Sequence, residues 1–429
     1  MKKKYRIILY TSIFLLCVVA SIILVVKKSN SVYEEESKPK VVKHKSMLSM
    51  NLEQTAGAGD YKQVTQSSWP TEGYKFNAEL SRCENGSTLS WDDTKKAVIV
   101  SGNLADKCYV YFDIYQPTLA EYIKSQYTGT QGENNIYYHD SDLANGAGDN
   151  SYRYAGANPN NFVCFGSDTS PCPTDNLYRI IGVFGENYHG VTGKQLVKLI
   201  KYDYMTTDEL GTDGDYSQTY KEWGMDSTYK GTYGDGERIG VYYWNYKATG
   251  SATNTWSTSL LNKTNLNTNF INNIGTTWAN KIATVTWKVG GNTSANISDV
   301  VPATTYQNEI VNPVTTNTTD NATTYSAKIG LMYVSDYGFA ASPDAWTLTM
   351  SSYNNTTATN NNWMYMGLYE WTISRSADNS SIAFSVDDVG GVYYDYVSSY
   401  NGVRASFSLE SSVSYVSGSG SMSDPVRIN

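Results

Sequence analysis

The chain opens on a charged segment and one long apolar run, then continues as a mostly polar body with short, recurring apolar stretches. Lys2, Lys3, Lys4 and Arg6 precede residues 7–26, which carry no charge and are closed by Lys27 and Lys28. As a helix, that run spans the roughly 30 Å hydrocarbon core of a bilayer. It is longer than the apolar region of a cleaved signal peptide and ends without a small-residue cleavage site. Residues 1–28 are therefore expected to be a cytoplasmic tail and an uncleaved transmembrane signal-anchor. Residues 29–69 show no sustained apolar period: Glu34, Glu35 and Glu36, then lysines, then Ala56-Gly57-Ala58-Gly59-Asp60 read as a stalk or linker.

Period-two alternation begins at Tyr74, where Tyr74, Phe76, Ala78 and Leu80 alternate with polar residues. Residues 89–91 and 97–100 flank a turn at 92–96 and predict a hairpin. Residues 108–115 predict another strand, with Cys108, Val110 and Phe112 on one face. Thr118 and Glu121 have capping-box spacing at the start of a short helix. Residues 70–127 thus read as a small antiparallel β module ending in a short helix, and the Gly/Asn/Asp-rich residues 128–150 as a linker.

A larger body is expected over 151–429. Residues 161–165, Leu177–Phe184 and residues 195–201 are strand-like, and Leu266, Phe270, Ile274, Trp278 and Ile282 recur every four residues as the core stripe of a helix that Gly275 interrupts. Residues 289–327, rich in Thr, Asn and Ser, read as an exposed insertion. Strands resume at 329–334 and continue through 382–386, 391–397 and 402–409. Strands, then helix, then strands predict an α+β domain.

Composition adds a compartment and removes chemistries. Lys and Arg gather in the first 45 residues, so the remainder is more acidic than the net charge of −8. Such a body repels phosphate backbones, which argues against a nucleic-acid partner. Outside the apolar run there are four cysteines, an even number that suits an oxidising compartment. Local geometry favours Cys83–Cys108 and Cys164–Cys172, placing the bulk of the chain outside a single-pass cell-membrane anchor.

The segments Asn150-Ser151-Tyr152-Arg153-Tyr154-Ala155-Gly156 and Leu177-Tyr178-Arg179-Ile180-Ile181-Gly182, with Cys83-Glu84-Asn85-Gly86-Ser87, resemble membrane-anchored surface proteins of low-GC Gram-positive gut bacteria. The C-terminal Trp371 to Ser376 and Gly402-Val403-Arg404-Ala405-Ser406-Phe407 are similar to the broad C-type-lectin-like and formylglycine-generating-enzyme-like fold. The resemblance implies a lectin-like mixed α+β domain. It carries over no functional residue, because the calcium–sugar motifs and redox cysteines of those proteins have no counterpart here.

Candidate chemistry is sparse. The histidines are His44, His139 and His189, and none neighbours another soft metal ligand. Asp213-Gly214-Asp215, Asp235-Gly236-Glu237 and Asp387-Asp388 read as turns. No nucleophile elbow or phosphate loop occurs, and neither a catalytic centre, a metal nor a cofactor is expected. There are 37 tyrosines in 429 residues. Trp363, Tyr365, Trp371, Arg375, Tyr393 and Tyr394 are the candidate ligand-binding residues, since aromatic faces and Arg anchor interfaces; core packing is the competing reading for the Trp residues. The expected function is non-catalytic recognition or adhesion towards a glycan, host or cell-envelope ligand. The alternatives are a structural subunit of a surface layer or fibre, and an envelope-acting hydrolase.

Overall fold

The computed structural model describes residues 48–429, apart from 66–67, 71–72, 104, 186–188, 190–192, 224–227, 235, 294–296, 298 and 314–322. The expected signal-anchor lies outside the described residues. Among those described, no helix is long and apolar enough to cross a membrane. The chain forms two compact units, Met1–Gln116 and Pro117–Asn429, and both are dominated by sheet.

In the first unit the central strand is Cys108–Ile114, whose Cys108, Val110 and Phe112 are buried as their alternation requires. Tyr74–Phe76 and Arg82–Cys83 pair with it antiparallel. Leu48–Glu53 pairs with it in parallel, and Tyr61–Val64 pairs antiparallel with Leu48–Glu53. The expected antiparallel module is therefore a mixed sheet, and residues 48–64 of the expected stalk belong to it. Met50 and Leu52 supply the reason, since they enter a core with Val98, Val110 and Phe112. The rings of Trp69, Phe76 and Trp91 pack on Phe112. The expected hairpin is Thr88–Asp92 with Ala97–Ser101. Cys83 and Cys108 face each other in register and are bonded.

The second unit begins with helix Leu119–Ser125, whose Thr118–Glu121 capping box forms as expected. This helix is not part of the first module: Leu119, Ala120 and Ile123 are buried in the second unit's core. Nor is 128–150 a linker, because Ile136–His139 is a strand antiparallel to Ser151–Tyr154. That pair borders Leu177–Phe184, which pairs with Phe162–Cys164 and Leu196–Lys201 in a seven-stranded sheet. Leu177–Phe184 and Leu196–Lys201 are buried along their whole lengths. A six-stranded sheet runs in the order Tyr216–Thr219, Gly240–Tyr243, Tyr400–Gly402, Glu370–Arg375, Ile382–Val386, Val392–Tyr396.

The helical stripe forms as two segments, Leu261–Phe270 with a widened π-type turn and Ile271–Ala279. Gly275, at φ 76°, takes a conformation closed to most side chains and breaks the second segment. Leu266, Phe270, Trp278 and Ile282 are core. The expected exposed insertion is largely not exposed: Val289, Ile297, Tyr306, Glu309 and Ile310 are buried, and Pro302–Tyr306 is helical. Spaced apolar residues among many Thr and Asn hid that packing. Residues 314–322 of the insertion lie outside the described ones.

Candidate functional site

The six expected ligand residues divide sharply. Trp363 is buried and its indole N–H donates to the Tyr154 carbonyl at 2.8 Å. Trp371 is fully buried and donates to the Tyr242 carbonyl at 2.7 Å. Tyr365 is buried, with the Lys230 ammonium 4.3 Å from its ring centre. Arg375 is buried and donates through Nε to the Val289 carbonyl. Each places its polar atom on the backbone of this chain, so these four are framework residues rather than a ligand face. Arg404 is likewise internal, donating to Glu370 at 2.8 Å and to the Met364 carbonyl at 2.6 Å.

Tyr393 and Tyr394 are the exception. They sit on Val392–Tyr396, the outermost strand of the six-stranded sheet. Val392 is buried and fixes the strand, while Tyr393, Tyr394 and Tyr396 are 39%, 51% and 60% exposed. Asp387 makes the turn before this strand, its Oδ1 accepting from the backbone N–H groups of Val389 and Gly391. After the strand the chain turns through Ser399, which donates to the Tyr396 carbonyl, into Tyr400–Gly402.

More tyrosines extend this corner. Tyr400 faces Tyr243 edge-on at 5.8 Å, and Tyr243 stacks on the exposed Tyr246 at 4.5 Å. The Asn245 N–H donates to the Val397 carbonyl, holding the two segments side by side. Tyr369 is also exposed, and burial and the nearby Asp388 and Asp387 raise its hydroxyl above the ordinary range. The result is a display of aromatic rings edged by carboxylates. Flat rings with a polar tip suit stacking on sugar rings or apolar peptide groups.

A second constellation is internal and was not expected. Asp149 accepts from Arg153 Nη2 and Tyr306 Oη and contacts His189 Nε2, each at 2.8 Å. Burial opposes its charge, yet Arg153 and His189 hold its carboxyl well below the usual range. The Arg153 guanidinium lies 4.8–5.3 Å from the ring centres of Phe184, Tyr306 and Phe339. Nearby, Lys198 contacts Asp336, and Glu309 caps the helix Val334–Ala340. These carboxylates are far apart in sequence. The available signal was a basic residue inside a buried strand, Arg153 in one and Lys198 in another.

Among the described residues, no group of three or more His, Cys, Asp or Glu is placed to hold a metal ion. No protein-family model, curated protein or solved structure matches this chain.

Proposed function

We propose that this chain is an extracellular surface protein that recognises a glycan or protein ligand through the tyrosine corner built on Val392–Tyr396, without catalysis. The carrying observation is that Tyr393, Tyr394 and Tyr396 stay exposed on a sheet margin while Trp363 and Trp371 are buried. Large apolar side chains left in water on a fixed strand are costly for folding alone and suit a binding face. Two disulfides, Cys83–Cys108 and Cys164–Cys172, fit an oxidising exterior. Residues 7–26 would hold the chain in the membrane, and Pro117–Asn429 would be a lectin-like domain, as its motifs suggest. Binding of the purified protein to glycan, mucin and cell-wall panels tests the reading. Saturable binding to one of them supports it; no ligand across all three sinks it.

One observation favours a second reading, a subunit of a surface layer or fibre. Among the described residues Val392–Tyr396 has a ladder partner on one side, Ile382–Val386. An open strand edge can add a strand from another chain. Light scattering of the purified protein distinguishes the two, since a fibre subunit self-associates as its concentration rises.

A further inference from the structure

Lys198 is a lysine in the middle of a strand that is buried throughout. Its Nζ contacts Asp336 Oδ2 on the first turn of helix Val334–Ala340, 138 residues further along the chain. The two side chains are 4% and 0% exposed. Aromatic rings surround the ammonium, with the centres of Tyr333 at 4.3 Å and Trp287 at 5.2 Å. This is a dry encounter between an ammonium and a carboxylate oxygen, with the carboxyl carbon one bond beyond.

A third ionisable group stands beside the pair. Glu309 is fully buried and accepts from the Val334 and Ser335 backbone N–H groups, each at 3.1 Å, and from Ser374 Oγ. It therefore shares one helix N-terminus with Asp336, whose Oδ2 accepts from the Tyr333 N–H at 3.0 Å. Burial pushes Glu309 up to about 7 and lowers Lys198, and each senses the charge of its neighbours in the cluster. On the far side of Asp336, Arg153 Nη1 lies 3.8 Å from Oδ1. Neither of these two atoms has a hydrogen-bond partner.

We propose that Lys198 Nζ and Asp336 Cγ condense into an intramolecular amide that ties the seven-stranded sheet covalently to the helix. The ammonium first passes a proton to the carboxylate, leaving a neutral amine and a carboxylic acid. The nitrogen lone pair attacks Cγ, charge grows on Oδ1, and Arg153 Nη1 is the donor facing it. The surplus proton on nitrogen then passes to the departing oxygen, which leaves as water. One C–O bond breaks, one C–N bond forms, and one water leaves; no oxidant or reductant is needed. Reactants held in contact gain an effective molarity on the order of 10⁵ M or more. The product also removes two charges from the core, where an ion pair bears a heavy desolvation cost.

Mass spectrometry of the full chain, denatured, reduced and digested, tests the proposal. The expected product is a branched peptide joining the Lys198 segment to the Asp336 segment, about 18 Da lighter than the two together. Lys198→Met abolishes it. Recovery from wild type of a Lys198 peptide with a free, amine-reactive side chain, in place of the branched one, overturns the proposal.

Discussion

Arg404 Nε donates to Glu370 Oε1 at 2.8 Å, and both side chains are almost wholly buried. They lie on strands Glu370–Arg375 and the segment after Tyr400–Gly402, so one ion pair joins the centre of the sheet that carries the tyrosine corner at its margin. Removing either partner strands a charge in the core. Arg404→Ala is expected to lower stability by about 3–5 kcal/mol, whereas replacing both partners by apolar residues of similar volume costs much less. Chemical denaturation of the two single variants and the double one checks this; equal losses in all three would contradict it.

Trp371 separates framework from ligand face. Its ring is fully buried and hydrogen-bonded to Tyr242, so Trp371→Ala is expected to cost about 3–5 kcal/mol. Tyr396→Ala, at a mostly exposed site, is expected to shift stability within about 0.5 kcal/mol. Thermal melts of the two variants decide it, and a large loss for Tyr396→Ala would move that ring from surface to core.

The disulfides differ in the chain they close. Cys83–Cys108 spans 25 residues and Cys164–Cys172 spans 8. On loop-entropy grounds the first contributes about 3 kcal/mol and the second roughly 1 kcal/mol less. Paired Cys→Ser variants, unfolded in denaturant, should rank in that order.

Glu309 makes a pH prediction with a definite sign. Its folded-state value is raised to about 7, above that of an ordinary glutamate, so the folded chain holds this proton more tightly. Its contribution is complete below the ordinary glutamate range, near 4.3, and is lost as pH rises through about 7. Burial lowers His189, and its contribution runs the other way, fading as pH falls. Comparing wild type with Glu309→Gln cancels the histidine. The stability difference should shift in favour of the glutamine variant between pH 4.5 and 7, and parallel curves would contradict the assignment.

Much of the fold was written locally. The Thr118–Glu121 cap, the hairpin around 92–96 and the strands at 177–184 and 196–201 all follow from spacing and alternation. Leu48, Met50 and Leu52 also alternate with Ser49, Asn51 and Glu53, but the charged run before them drew the segment into a stalk. Its partner strand lies some sixty residues away, and a parallel pairing leaves no turn signal between them. At the sheet margin, the exposure of Tyr393 and Tyr394 was legible because neighbouring tyrosines cannot share one buried face of a strand. Trp363, Tyr365, Trp371 and Arg375 carry the same residue types, yet backbone carbonyls claim them in the interior. The cluster of Asp149, Lys198, Glu309 and Asp336 is a product of convergence in space, which a linear pattern does not record.

The central claim is that the tyrosine corner binds. Its most direct measurement is a titration of glycan, mucin and solubilised cell-wall fragments into wild type and into the double variant Tyr394→Ala/Tyr396→Ala. The expected result is saturable binding of one ligand class by wild type and binding weaker by about tenfold or more in the double variant, at an unchanged melting temperature. Equal binding by the two proteins, at equal stability, would contradict it.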